Sequence, residues 1–385
     1  MSTRHAAARI AVGAIAFRLF SAALAFVMNV VVPKYGPEQF ASPFGPKRAF
    51  WDVFTRYDSG WYFQIARYGY HYTPDGRDNI AYFPVYPLLM RYVGRAIGRD
   101  PADVYFGGII VSWIAFVLAM IALYHLAALD LPRRLATRAV WLAAVFPFAF
   151  FYGVVYSEAV FLAATVAAFY FFRTRRWIVG GLCGAVATAT RVNGVLIWPA
   201  LVWIVWRQLK DASATRERLL ATLGLLLVGS GIAAYCVYVY ELSGNPLEWS
   251  AALQRWGYYP GGGPWLPLAR LVRTLATRPI VYIATERMAP YDALNGLTAL
   301  LFAAAVPFVW RRYGSGYGVY MAANLWLPLS SGQFEGLGRY CAVLFPMFIW
   351  LAGIRSRGLF SGTLVVSAAM YALCMALFTN FYPLF

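Results

Sequence analysis

This sequence predicts an all-α polytopic membrane protein, a single domain over residues 1–385, and three observations carry that reading. Hydrophobic residues make up 61% of the chain and charged ones only 13%, so its solvent is bilayer and not water. Apolar stretches long enough to span recur from residue 10 to residue 385. Lys and Arg gather in short clusters between those stretches, and the clusters fall on one side when the chain is threaded back and forth. The net charge of +17 is therefore no sign of a nucleic-acid partner, since the basic residues form no continuous stripe. They read as topology signals and contacts for anionic lipid.

With Arg4 and Arg9 taken as cytoplasmic, residues 10–32 form a first span, too long and too poor in a small-residue cleavage site to be a signal peptide. Residues 33–103 form a first outer loop, and 104–129 return to a basic loop with Arg133, Arg134 and Arg138. The apolar stretch 139–172 holds Tyr156, Ser157 and Glu158 at its middle, which predicts two spans meeting in an outer hairpin before Arg173, Arg175 and Arg176. Residues 177–206 are interrupted by Arg191, Val192 and Asn193. Read as one span they would place every later basic loop outside; two short crossings restore the charge rule.

Arg207, Lys210, Arg216 and Arg218 are then inside, 219–240 crosses outward, and 241–292 is a second long outer loop. The remaining spans have inner connections at Arg311 and Arg312 and at Arg355 and Arg357, an outer hairpin at 333–339, and a C-terminal end outside, for about eleven crossings in all. The hairpin halves are at or below the length that a hydrocarbon core of about 30 Å requires. Their outer turns should be recessed, opening a cavity to the outer face with Glu158, Arg191 and Arg339 at its walls.

Both outer loops carry amphipathic segments suited to lying on a membrane surface. In 86–99, Leu89, Met90, Val93 and Ile97 oppose Arg91, Arg95 and Arg99; in 268–278, Leu271, Val272 and Leu275 oppose Arg270, Arg273 and Arg278. The glycine-rich, aromatic segment 258–265 either closes over a sugar or connects elements. Cys183, Cys236, Cys341 and Cys374 lie in apolar segments at irregular spacing and predict free thiols. Arg18, within the first span, reads as a snorkelling residue. His5, His71 and His125 are too scattered for a histidine metal cluster.

The phrase AFWDVFTRYDSGWYFQIARYGY, residues 49–70, places Asp52 and Asp58 among aromatics just after the first span. Aromatic faces with an isolated carboxylate suit a sugar site, the rings for the pyranose faces and the carboxylate as a base for its hydroxyl. An interfacial aromatic belt with helix-capping aspartates gives the same pattern. Residues alone leave the two open.

YDSGWYFQIARYGY (57–70) resembles the WDxxWYxxIAxxGY signature of the PIG-V mannosyltransferase family, with Tyr57 for the usual Trp. Further motifs follow in order: YFPVYPLL (82–89), YSEAVFLA (156–163), ATRVNGVL (189–196, with Val192 for Pro) and GRYCAVLFP (338–346). The resemblance implies a GT-C type fold and transfer of mannose from a polyprenyl-phosphate donor, with the catalytic Asp in the first outer loop. It makes Asp58 the expected general base and Asp52 the second candidate.

A departing phosphate needs positive charge and no general acid. Arg339 and Arg191 are expected to bind it, because Arg near a membrane is costly unless engaged and its planar fork suits phosphate. A structural pair of Arg191 with Glu158 is the plainer alternative. Glu158 is expected to orient an Arg or the acceptor and Asn193 to orient the same turn, with Trp61, Tyr62, His71 and Tyr340 as supporting or acceptor-binding residues. No cofactor is required; a divalent cation on Asp52 and Asp58 is chemically allowed but not indicated. The acceptor is a glycan, glycolipid or protein, and richness in Ala, Arg and Gly fits a bacterial inner membrane with the site on the extracytoplasmic face. A transporter or flippase of polyprenyl-linked lipids is the alternative, but it would show an inverted repeat and midplane charges in both halves. No repeat is visible here.

Overall fold

The first apolar stretch becomes α1 (Thr3–Val31), and the first outer loop that follows holds three helices: α2 (Ala49–Asp52), α3 (Ser59–Tyr68) and α4 (Val85–Ile97). The computed structural model describes residues 3–35, 43–45, 49–210, 215–258, 263–280, 289–331, 334 and 336–384. No strand occurs among them. The chain continues as α5 (Pro101–Ala127), α6 (Arg133–Ala144), α7 (Glu158–Arg173), α8 (Trp177–Thr188), α9 (Trp198–Leu209) and α10 (Thr215–Ser243). The second outer loop holds α11 (Glu248–Arg255) and α12 (Trp265–Thr277), before α13 (Ala289–Tyr313), α14 (Ser315–Ser330), α15 (Leu337–Ala342), α16 (Phe345–Ala352) and α17 (Arg357–Thr379).

Among the described residues, six helical stretches are long and apolar enough to cross a membrane: 5–31, 101–127, 192–209, 215–243, 291–313 and 357–379. The other expected crossings are made of shorter pieces. α7 has 16 residues and α8 has 12, lengths of roughly 24 and 18 Å against a core of about 30 Å. The turns that join them to their partners therefore sit inside the bundle: Glu158 is fully buried and Arg191 only 8% exposed.

The basic loops meet at one end of the bundle, as the charge pattern predicts. Arg173 pairs with Asp130 and donates to the Tyr317 hydroxyl at 2.9 Å. Arg175 reaches Glu217 at 3.0 Å, and Arg138 donates to the Ile354 carbonyl at 3.3 Å. The turns bearing Glu158, Arg191 and Arg339 gather at the other end, with the two outer loops folded over them.

α4 leaves Leu89 and Ile97 40% and 44% exposed, while Tyr86, Met90 and Gly94 are buried. The reason is a close crossing with α5: a Cβ on Gly94 would stand 2.7 Å from the Val104 Cα, and one on Gly107 would stand 2.5 Å from the Gly94 nitrogen. Small residues let two backbones meet there. Its Arg91 caps the end of α3, donating to the carbonyls of Ala66 at 2.6 Å and Ile65 at 2.8 Å.

The expectation that Arg18 snorkels is corrected. It is 2% exposed and turns inward, 4.1 Å over the Phe116 ring and bonded to the Tyr371 hydroxyl at 3.2 Å. The four cysteines are free thiols. Of the segment 258–265, residues 259–262 lie outside the described residues, as do 332, 333 and 335 around the last outer hairpin.

Candidate active site

Asp58 is delivered to the site by a tight turn. Tyr57 adopts a left-handed backbone (φ 50), uncommon for a bulky residue, and its phenol holds the turn by donating to the Tyr382 carbonyl at 2.8 Å. The Asp58 carbonyl then accepts from the amides of Trp61 and Tyr62, starting α3. Its carboxylate makes no capping bond, which decides against the capping reading. Instead it accepts from Arg339 Nη1 at 2.6 Å and from the Tyr82 hydroxyl at 3.1 Å.

Glu158 opens α7, and its Oε1 pairs with Arg191 Nη1 and lies 3.8 Å from Arg339 Nε. The structural pair weighed from the sequence thus exists, and Arg339 bridges it to Asp58. Glu158 Oε2 and Arg339 Nε are buried without a hydrogen-bond partner. Unsatisfied polar atoms of this kind cost stability and are usually explained by function.

Asp58, Arg191 and Arg339 border one cavity of about 160 Å³, walled also by Tyr62, Tyr82, Phe83, Ser157, Tyr340 and Trp256, with Glu158 buried behind the two arginines. Arg191 lies 5.0 Å over the Tyr340 ring. Tyr62 bonds Ser157 Oγ at 2.9 Å. Trp61 stacks on Tyr82 (6.0 Å, 13°) and meets Trp256 edge-on (5.0 Å, 90°), so α3, the first outer loop and the end of α11 form one aromatic wall. Burial first, and the Asp58 carboxylate second, push the Tyr82 phenol well above its ordinary range. It remains a hydrogen-bond donor.

Asn193 is fully buried; its Oδ1 accepts from Arg191 Nε at 3.3 Å and its amide donates to Asn324 Oδ1 at 3.0 Å. On the Arg339 side, Asn295 Oδ1 accepts the Gly338 amide at 2.7 Å, pinning the start of α15. Two expected residues stand apart. Asp52 is tied to Arg56 Nη1 at 2.9 Å, and His71 is 53% exposed, 3.7 Å from Asp78; neither lines the cavity. Among the described residues, no three His, Cys, Asp or Glu form a group able to hold a metal ion.

Sequence reasoning missed Tyr82, Asn295, Asn324 and Trp256. Tyr82 opens YFPVYPLL, so that motif pointed to its position though not to its bond.

A family model described as mannosyltransferase (PIG-V) matches residues 15–241, which takes in Asp58, Glu158, Arg191 and Asn193. The chain belongs to the PIG-V mannosyltransferase family. Arg339 lies beyond the matched stretch, and only the fold brings it to the family's Asp58 motif. No curated protein matches the PIG-V chain in sequence.

Among solved structures it is similar to the Archaeoglobus fulgidus oligosaccharyltransferase tethered to an acceptor peptide containing the NVT sequon, at 13% identity and a TM-score of 0.45. That match covers 97% of this chain and 55% of the other. The archaeal oligosaccharyltransferase AglB from the same organism, in complex with an inhibitory peptide and a dolichol-phosphate, is similar at 11% identity and a TM-score of 0.45, over 97% of this chain and 56% of that one. The PIG-V chain thus spans about half the length of the structures it matches.

Proposed function

We propose that this chain is an inverting GT-C mannosyltransferase that moves mannose from a polyprenyl-phosphate mannose to an acceptor hydroxyl at the extracytoplasmic face. The observation that carries the reading is the meeting of the Asp58 carboxylate with the Arg339 and Arg191 guanidiniums at one small cavity.

The acceptor oxygen attacks the anomeric carbon from the Asp58 side, and Asp58 takes its proton. The bond from that carbon to the phosphate oxygen breaks, and the polyprenyl phosphate leaves with the electron pair. Arg339, with Arg191 behind it, stabilises the charge that grows on the leaving phosphate. The acceptor ring rests on the Trp61, Tyr82 and Trp256 wall. Asp52 keeps a structural role, holding Arg56 beside the catalytic turn.

A polyprenyl tail stays in the bilayer while its phosphate enters, whereas a nucleotide sugar would call for a soluble nucleotide-binding domain that this apolar sequence does not provide. The test is label transfer by purified protein, with a membrane extract as acceptor source. Transfer from polyprenyl-phosphate mannose is expected. Transfer from GDP-mannose in extract stripped of polyprenyl phosphate, with none from the lipid donor, would overturn the reading.

A further inference from the structure

At the end of the bundle away from Asp58, α1 and α6 part around a recess of about 270 Å³. Arg9, Arg133, Arg134, Thr137, Tyr124 and Trp141 line it. We propose that this recess binds the phosphate of an anionic phospholipid headgroup, at a site separate from the chemistry.

Charge is the first ground. Guanidiniums from α1 and from the first turn of α6 converge on the recess, and no carboxylate lines it among the described residues. Guanidinium forks present paired donors that match phosphate oxygens. The first turn of α6 adds the positive end of its helix dipole.

Shape is the second. The benzo edge of the Trp141 indole meets α1 at Gly13, where a Cβ would stand 2.8 Å from the ring. A side chain there would displace the indole from this contact. The glycine keeps an apolar wall beside the charged rim, a pairing that suits a headgroup with its glycerol and excludes a bare ion as the best fit.

Position is the third, and it favours a lipid over a soluble phosphate. Arg9 continues along α1 into Val12, Ile15 and Leu19 at helical spacing, and these are 67%, 50% and 56% exposed. An acyl chain leaving the recess would run down that stripe, with its phosphate at the level where the basic loops gather.

The experiment uses the full chain in nanodiscs of phosphatidylcholine with a minority of phosphatidylglycerol, released into native mass spectrometry. One retained phosphatidylglycerol per chain is expected. The triple variant R9Q/R133Q/R134Q should weaken retention by roughly 100-fold, each juxtamembrane arginine contributing about fivefold. R355Q/R357Q, in another basic loop of the same end, should retain the lipid. Thr137→Asp should expel it by putting a carboxylate into the recess, and serves if the triple variant does not fold. Equal losses in R355Q/R357Q, or full retention in both recess variants, would overturn the site. Inorganic phosphate that binds alone and displaces the lipid would overturn its assignment to a headgroup.

Discussion

Arg339 donates a 2.6 Å hydrogen bond to the carboxylate of Asp58 across 281 residues of sequence, and both side chains still face the cavity at 12% and 17% exposure. In the proposed reaction these are the phosphate holder and the base. In that proposal a phosphate drawing on Arg339 frees Asp58 for the acceptor proton.

Asp58→Asn should lower transfer by roughly 10² to 10⁴-fold, because the amide keeps the shape and cannot take the proton. Donor binding, measured separately with labelled lipid, should persist. An active Asp58→Asn beside a dead Asp52→Asn would move the base to Asp52.

Arg339→Ala should cost about 10² to 10³ in kcat, the usual loss for one donor to a developing oxyanion. Arg339→Lys should recover part of it, keeping charge without the planar fork. A raised KM with kcat unchanged would limit Arg339 to ground-state binding.

Glu158→Gln strands the buried Arg191 and should destabilise the protein by about 3–5 kcal/mol. Adding Arg191→Met should restore much of the loss, read as melting temperature in detergent. Strictly additive losses would show that the two residues are uncoupled.

Asn295→Ala leaves the Gly338 amide without its acceptor and should cost about 1–3 kcal/mol. Asn295→Asp keeps an acceptor and should rescue turnover. Loss of stability with full activity would mean that the start of α15 does not set Arg339.

The raised Tyr82 phenol gives a signed pH prediction. Folded protein holds that proton more tightly than the unfolded chain, so the contribution is complete below the ordinary tyrosine pKa of about 10 and is lost as pH rises above it. Tyr82→Phe should flatten the alkaline fall in stability by up to about 1.4 kcal/mol per pH unit. An unchanged slope in denaturant titrations would disprove the assignment.

Much of the charged part of the site was legible because charge is conspicuous in an apolar chain: Glu158, Arg191 and Arg339 stand out by cost, whereas Asp58 was singled out by the resemblance of its motif. The short hairpins were legible for a similar reason, since 12 residues do not reach across a bilayer. Tyr82, Asn295 and Asn324 were not, because a neutral polar residue pays little in a sequence with 27 Tyr and only tertiary contacts single it out. The α4–α5 crossing was not legible, because hydrophobic periodicity ranks Leu89 and Ile97 above Gly94, whereas the crossing selects the residue without a side chain. Arg18 was misread because its neighbours Phe116 and Tyr371 come from α5 and α17, far along the chain.

The turn that carries Asp58 is fastened to the C-terminal end of α17. Arg56 Nε donates to the Thr379 carbonyl at 3.1 Å across 323 residues, Tyr57 donates to that of Tyr382, and the Tyr35 amide to that of Asn380. A nascent chain reaches the membrane with Asp58 early and gains its fastening late. During synthesis, which proceeds at about 5–20 residues per second, the first loop must wait many seconds in an unclosed form. The turn that carries Asp58 therefore gains this fastening only once α17 has been made.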